Sequence, residues 1–367
     1  MTSKILIVGA GIAGLSLAQW LKKFGLNFEI IEEKSSEDTD STGIVLPFNA
    51  VREIKKLGIF DGLEGRYQQA DKVTYCKSNG KVINVARLTD PPFENDQFIA
   101  LERQVLNEAL RVGLQRKIRY NTELMSVRHE DDSVSITCTN EILNGSYDLL
   151  IAADGLNSLT RHENFEGQAL IHDHSFACWR FVVEYPEHGL QPLQMVGQSD
   201  SFMVFPISND TLYCYGHAYE NSRPNPLVDD SRENLKHVFG GYRGPLPDIL
   251  RRLDDTEIYV GRLQSVIKPC FFDRRIAFVG DAANGCSPMI QQGAALAFAG
   301  SRCLADALAM QNVDQALMTY KERRERKVER IIRYADAPLA QFRHSQSWMG
   351  RGFHDIKIKT LGPPNVQ

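Results

Sequence analysis

KILIVGAGIAGLSLAQWLKKFGLNFEIIE, residues 4–32, is the stretch that decides the fold. Lys4–Val8 is a short β-branched run and predicts a buried strand. Gly9-Ala-Gly11-Ile-Ala-Gly14 follows at once. Leu15, Ala18, Leu21 and Phe24 then recur at helical spacing over Ile12–Phe24, and Gly25 ends that helix. Phe28–Ile31 predicts a second strand, closed by Glu32, 18 residues after Gly14.

Each step of strand, G-x-G-x-x-G, helix, strand, acid has a physical reason. Gly9 allows the tight turn, Gly11 lets a pyrophosphate approach the backbone, and Gly14 lets helix and strand pack closely, with Ala13 small beside it. The helix N-terminus offers unpaired N–H groups and the positive end of its dipole to phosphates. Glu32, with Glu33 next to it, can accept from both hydroxyls of an adenosine ribose. A 2′-phosphate there would meet like charge, which disfavours NADP at this position. The motif alone does not separate NAD from FAD, and a glycine turn that only packs a helix is the bland alternative.

The rest of the 367-residue chain bounds the class. Hydrophobic residues make 43% and charged residues 24%, the mix of a globular protein and not of a disordered or collagen-like one. Length predicts two domains, or one α/β domain carrying an insertion. With 42 basic and 46 acidic residues the net charge is −4, so no global field favours nucleic acid. The basic run Lys321–Arg330 alternates in sign and predicts a solvated helix face. Seven scattered cysteines with no C-x-x-C fit reduced thiols in a cytoplasmic protein. His172-Asp173-His174 lacks a third ligand, so no metal site is expected. Ile5–Leu21 is 17 residues without a charge, but its glycines punctuate a strand and a turn. No other stretch approaches a spanning length, so no membrane span is expected.

Two later motifs extend the first. Tyr147–Ala153 predicts an apolar strand ending in Asp154-Gly155, with Ser158 and Arg161 beyond. Arg275–Val279 predicts a strand ending in Gly280-Asp281-Ala-Ala, followed by Pro288, Gln292-Gly293 and the small-residue helix Ala294–Ser301. With these motifs in this order, the chain over residues 4–335 resembles the FAD-dependent aromatic hydroxylases, flavoprotein monooxygenases of the p-hydroxybenzoate hydroxylase type. Gly43-Ile44…Pro47-Phe-Asn49 and Arg103-Gln-Val-Leu106 are similar to further family segments. Asn284 stands where the family usually has His, Gln291 lies inside its P-x-x-G-Q-G pattern, and Gly300-Ser301 replaces an acidic pair.

The resemblance implies a Rossmann-like α/β FAD-binding domain, a parallel sheet interrupted by an antiparallel substrate-binding sheet, and C-terminal helices. The segments expected are 1–72, 98–170 and 270–335 for FAD, 73–97 and 171–269 for substrate, and 336–367 as a tail. It implies FAD contacts at Gly9, Gly11, Ala13, Gly14, Glu32, Glu33, Gly43, Arg103, Leu124, Asp154, Asp281, Gln292, Gly293, Ala294 and Ala295. Asp281 would accept from a ribityl hydroxyl, and the helix after Gln292 would face the flavin ring with its positive end. Asp154 acts indirectly, or else only caps a turn and pairs with Arg161. NADPH or NADH would deliver hydride transiently, and O2 would give a flavin C4a-hydroperoxide attacked by an electron-rich ring, with Pro288 bordering it. The rival readings are an FAD reductase or dehydrogenase without oxygen transfer, and a flavin-binding protein without turnover. The chain would act as a monomer or homodimer on a small aromatic or polyketide-like molecule.

The substrate sheet is read from the residues. Val73–Cys76 and Lys81–Val85 flank Ser78-Asn79-Gly80, a type I′ hairpin signal. Phe176–Val183, Leu193–Val196, Phe202–Ile207 and Thr211–His217 predict further strands. Arg180, Met203, Phe205, Tyr213, Tyr215 and His217 are candidate pocket residues. Alternation lets one face line a pocket, so about half of these six are expected to point away. Arg180, between Trp179 and Phe181, is the candidate for holding a carboxylate or phenolate. Gln315–Tyr334 predicts a long charged helix interrupted at Pro338, and Gly362-Pro363-Pro364 a frayed end.

Overall fold

A computed structural model describes residues 3–36, 41–164, 170–220 and 231–344. Its centre is the strand β1 (Ile5–Val8), every residue of which is buried. It pairs in parallel with β2 (Phe28–Ile31) on one side and with Leu149–Ala152 on the other. Ile118–Arg119 and Ile276–Phe278 extend this sheet in parallel, and Phe272–Asp273 closes one edge antiparallel. Period-two alternation divides the side chains between two cores. Ile5, Ile7, Ile30, Leu149, Ile151 and Ala277 face the helices α1 (Ile12–Lys23) and Gly293–Met310. Leu6, Val8, Ile31, Leu150, Ala152 and Phe278 face a small antiparallel sheet made of Leu124–His129, Val134–Cys138 and Gly145–Tyr147. The result is three layers around one nearly apolar parallel sheet.

A second, seven-stranded sheet is spliced in from two places. Its spatial order is Tyr259–Val266, Ile171–Glu184, Thr211–Tyr219, Asp200–Pro206, Leu193–Val196, Lys72–Lys77 and Val82–Arg87. All neighbouring pairs are antiparallel except Leu193–Val196 with Thr74–Lys77, where the two insertions meet in parallel. The sheet is therefore mixed at one junction. Trp179, Phe181 and Phe202 pack on one face against the helices Ser231–Phe239 and Leu246–Arg251. That arrangement leaves Arg180 on the opposite face, which looks toward the parallel-sheet domain.

Three expectations change. The 78–80 turn is not type I′: Gly80 has φ +86° but Asn79 is not left-handed, Gly80 N donates to Lys77 O at 2.9 Å, and the register shifts at Tyr75/Cys76. This is a three-residue loop with a glycine bulge, which suits the strand twist equally well. The last helix does not stop at Pro338 but runs Val313–His344. Leu339 and Phe342 bury beneath the seven-stranded sheet, and that packing offsets the roughly 3 kcal/mol cost of a mid-helix proline. The expected frayed end lies outside the described residues. Gly293–Met310 is long and apolar enough to cross a membrane by length and composition. Here it is a core helix, packed on α1 and on the last helix, with Arg302 bonded to Glu53 at 2.6 Å.

Candidate active site

The two sheets face each other across one cleft of about 450 Å³. Its floor comes from the loops at the carboxyl ends of the parallel strands, the crevice where open α/β sheets bind ligands. Gly11 and Ala13 from the first turn, Gly155 after the Leu149–Ala152 strand, and Asp281 after the Ile276–Phe278 strand all line it, as do Gly293 and Ala294. Three motifs separated by more than a hundred residues thus converge on one space. The three glycines of the first turn divide their work. At Gly9, φ is +102° and an added Cβ would lie 2.6 Å from Ala153 O. At Gly14 it would lie 2.0 Å from Gly9 O, whereas at Gly11 it would meet nothing within 4 Å. Gly9 and Gly14 serve packing, and Gly11 leaves its backbone open to the cleft.

The acid at the end of β2 is engaged locally. Glu32 accepts from Ala10 N at 2.6 Å and from Lys34 N at 3.1 Å, tying β2 to the glycine turn. Glu33 is exposed, and Leu124 is buried between the parallel sheet and the small sheet. Ala295 points into the helix packing, and the Gln292 side chain accepts from Asn49 Nδ2 at 2.7 Å. None of these five lines the cleft. Gly43 does, and an added Cβ would lie 2.3 Å from the Tyr213 ring. Arg103 also lines it, at the start of its helix.

Asp154 and Arg161 do not form the ion pair of the bland alternative. Asp154 Oδ2 accepts from Thr160 Oγ1 at 2.9 Å, while its buried Oδ1 has no partner among the described residues. Arg161 is buried and gives its protons to carbonyls: Ala282 O at 2.7 Å, Asp281 O at 3.3 Å and Leu156 O. Five N–H donors on a planar fork suit this work better than one carboxylate contact. Arg161 therefore clamps the Asp154-Gly155 loop to the turn that carries Asp281.

Asp281 opens to the cleft but sits deep among protein atoms. Burial raises its pKa above the ordinary carboxylate value, while Arg103, Arg180 and Arg161 pull it back. Burial also works against the Arg180 charge, but Cys178, Tyr213, Tyr215 and Asp281 outweigh it and hold the guanidinium above its usual value. The Arg180 guanidinium lies 5.7 Å from the centre of the Tyr215 ring.

All six candidate residues of the second sheet share one face. The register aligns Arg180 with Tyr215 and Tyr215 with Met203, Tyr213 with Phe205, and His217 with Ser201. The expectation that half point away fails because the three strands that carry them were read separately, without their mutual register. Five of the six line the cleft with Pro288. Phe205 lies beyond its rim, 6.1 Å from Phe98 ring to ring. The sequence reading missed Gln194, Ser201, Arg262 and Gln264, which also line it. Ser201 was open to discovery, two residues before Met203. Arg262 and Gln264 lie on Tyr259–Val266, whose glycine and polar residues hide an eight-residue strand.

His217 is almost wholly buried, and burial pushes its pKa down to about 3. An unfolded histidine titrates near ~6.5. Between these values the unfolded chain holds a proton that the folded chain does not, so stability falls as pH drops from about 6.5 toward 3. This one group contributes at most ~1.4 kcal/mol per pH unit. His217→Leu should flatten that part of an acid-denaturation curve; an unchanged slope contradicts the assignment.

No cluster of three metal-ligating side chains, around His172 and His174 or elsewhere, exists among the described residues. His174 Nε2 instead meets Ser265 Oγ at 2.7 Å, and Ser265 donates to Asp336 at 2.7 Å. This ties the second sheet to the last helix.

Known proteins resemble this chain in sequence and fold. A family model described as FAD binding domain matches residues 2–335. A flavin-dependent monooxygenase of Legionella longbeachae is 27% identical over 319 residues, covering 84% of this chain and 81% of its own. A 2-heptyl-3-hydroxy-4(1H)-quinolone synthase of Pseudomonas aeruginosa is 25% identical over 336 residues, covering 89% and 86%. Among solved structures, Klebsiella pneumoniae HpxO complexed with FAD and uric acid has a TM-score of 0.86 at 22% identity, over 97% of this chain and 92% of that one. P. aeruginosa PqsL in complex with 2-aminobenzoylacetate has a TM-score of 0.81 at 17% identity, over 94% and 97%. These structural likenesses establish a shared fold.

Proposed function

The chain belongs to the FAD binding domain family, and we propose on that premise how it works as an FAD-dependent monooxygenase with its curated relatives. The reading is hydroxylation of a small aromatic molecule, with NADPH or NADH as transient donor and O2 as co-substrate. The observation that carries it is the single cleft, floored by three cofactor-type loops and roofed by a polar-lined sheet.

The residues present fit FAD. Gly11 leaves room for close approach of a pyrophosphate, and Arg103 supplies a cation on the same cleft. Asp281 presents a carboxylate suited to a ribityl hydroxyl, and the buried Asp154 Oδ1 has no partner among the described residues. Glu32 ends β2 and, besides the two backbone N–H groups it accepts, would accept from an adenosine ribose. Gly293 and Ala294 open an 18-residue helix, whose positive end stabilises negative charge placed before it. FAD bound there would supply the redox chemistry, with NAD(P)H as hydride donor and O2 as the source of the transferred atom.

The protein's part is orientation and exclusion of water. Val45, Leu263, Met203 and Met289 give the cleft apolar walls, which strengthen every charge interaction inside. Arg180 holds an electron-rich or anionic ring in place. Pro288, with its fixed φ, lines the cleft and would border the reacting edge of a bound flavin. The seven unpaired thiols support a reducing, cytoplasmic location.

Purified protein incubated with FAD should turn yellow and retain one flavin per chain. Phenols, hydroxybenzoates and polycyclic enols are then screened for stimulated NAD(P)H oxidation with matching hydroxylated product. Protein that takes up no FAD overturns the reading. Peroxide release without product across the panel favours the reductase alternative. Asp281→Ala should weaken FAD binding roughly 10- to 100-fold, the worth of hydrogen bonds to a charged acceptor; unchanged flavin retention shows that Asp281 does not hold the cofactor.

A further inference from the structure

His217 and Tyr215 stand two residues apart on one strand, so both face the cleft. Both are buried, and neither is satisfied. Neither His217 ring nitrogen nor the Tyr215 hydroxyl has a hydrogen-bond partner among the described residues. Two polar groups of the same cleft are otherwise engaged. Gln194 donates to Ser201 Oγ at 3.3 Å and Gln291 to Met203 Sδ at 3.5 Å. The imidazole is held by rings: Phe342 stands edge-on at 5.0 Å, Phe176 at 5.9 Å, and Tyr215 at 5.7 Å. These contacts fix the ring without using its nitrogens.

Burying a polar group without a hydrogen bond costs on the order of 1–3 kcal/mol in proteins. Two such groups side by side in a wall that opens on the cleft mark a place where a ligand repairs the loss. A neutral imidazole offers one N–H donor and one bare acceptor, and the phenol offers one donor and an acceptor oxygen. Resting on the monooxygenase reading, we propose that His217 and Tyr215 determine substrate specificity by hydrogen-bonding a ring-edge hydroxyl, so that the substrate class is hydroxylated aromatic rings and not hydrocarbon rings of the same shape. An isostere that presents methyl in place of hydroxyl leaves both groups unpaired. A site built this way rejects the analogue that lacks the polar group far more strongly than an apolar pocket discriminates by size. Arg180, against the Tyr215 ring face, adds a positive charge that favours an electron-rich, partly ionised hydroxyarene.

The test uses the FAD-loaded protein and binding, not turnover. 1-Naphthol and 1-methylnaphthalene, matched in shape, are titrated while the flavin absorbance is followed. Wild type should bind 1-naphthol at least ~10-fold more tightly, the worth of one good hydrogen bond to a buried group. His217→Leu should bring the two affinities within about 2-fold, by weakening the naphthol and tightening the hydrocarbon. His217→Gln, which keeps a donor and an acceptor, should recover part of the preference. In parallel, the imidazole nitrogens of 15N-histidine-labelled wild type should show a shift at His217 with 1-naphthol and none with 1-methylnaphthalene, a readout that survives even if a variant fails to fold. A wild type without preference for the hydroxyl, including one that does not bind 1-naphthol, overturns the proposal, as does a His217→Leu protein that keeps the preference. Protein that binds no FAD overturns the monooxygenase reading; a yellow holoenzyme indifferent to the hydroxyl overturns only this one.

Discussion

Gly11→Val should fold with a thermal midpoint close to wild type and yet lose FAD affinity by ~100-fold or more, whereas Gly14→Val should yield little folded protein. The two positions lie three residues apart in one turn and differ in what surrounds them. Gly11 has φ −78° and ψ −174°, a conformation a β-branched residue accepts, and an added Cβ meets nothing within 4 Å. Its side chain would project into the cleft, where a cofactor pyrophosphate must approach the backbone. Overpacking of that contact costs roughly 3 kcal/mol, and ~1.4 kcal/mol is a factor of ten in affinity. At Gly14 the added carbon lies 2.0 Å from Gly9 O and 3.3 Å from Ala153 Cβ. The obstacle is backbone on the central strand's own turn, so α1 must move off the sheet. Flavin absorbance and thermal melts of both variants check the contrast. A Gly11→Val protein that retains full flavin content contradicts the assignment of that turn to the cofactor.

Arg161→Met should destabilise the fold by about 2–4 kcal/mol and cut flavin retention at least ~10-fold, though Arg161 does not line the cleft. Its guanidinium satisfies carbonyls of Leu156, Asp281 and Ala282, and hydrogen bonds to a charged group contribute about 1.5–3 kcal/mol each. Asp281 O also receives the Gly285 N–H at 3.1 Å, so the loss falls mainly on Leu156 O and Ala282 O. Without the clamp, the loop after Ala152 and the turn at Asp281 lose their common anchor, and the Asp281 carboxylate with them. Arg161→Lys should recover part of the stability, because one ammonium reaches fewer carbonyls than a planar fork. Equal stability of Arg161→Met and wild type contradicts the clamp.

The nucleotide-binding half could be read from residue order because its constraints are local. Gly14 answers to Gly9 O within one strand-turn-helix unit, the left-handed φ of Gly9 is likewise a local demand, and the alternation Ile5/Leu6/Ile7/Val8 already encodes a sheet buried on both faces. Asp154-Gly155 and Gly280-Asp281 could be recognised as strand-end loops for the same reason. What stayed hidden is set by partners far along the chain. Tyr259–Val266 is a strand because Ile171–Glu184 offers it an edge, not because its own sequence alternates clearly. The parity of Arg180, Met203, Tyr213 and His217 depends on register between three strands. Pro338 is tolerated in a helix because Leu339 and Phe342 find a sheet to bury against. Arg161 reads as an ion-pair partner of Asp154 until the carbonyls of residues 281 and 282 are brought beside it.

A crystal structure of the protein grown with FAD is the decisive measurement. One FAD should lie along the cleft, with its adenosine end near Glu32, its pyrophosphate against Gly11, its ribityl chain at Asp281 and its ring before Gly293. Flavin density touching only one of these loops, or lying outside the cleft altogether, would show that the three motifs do not form a common cofactor site.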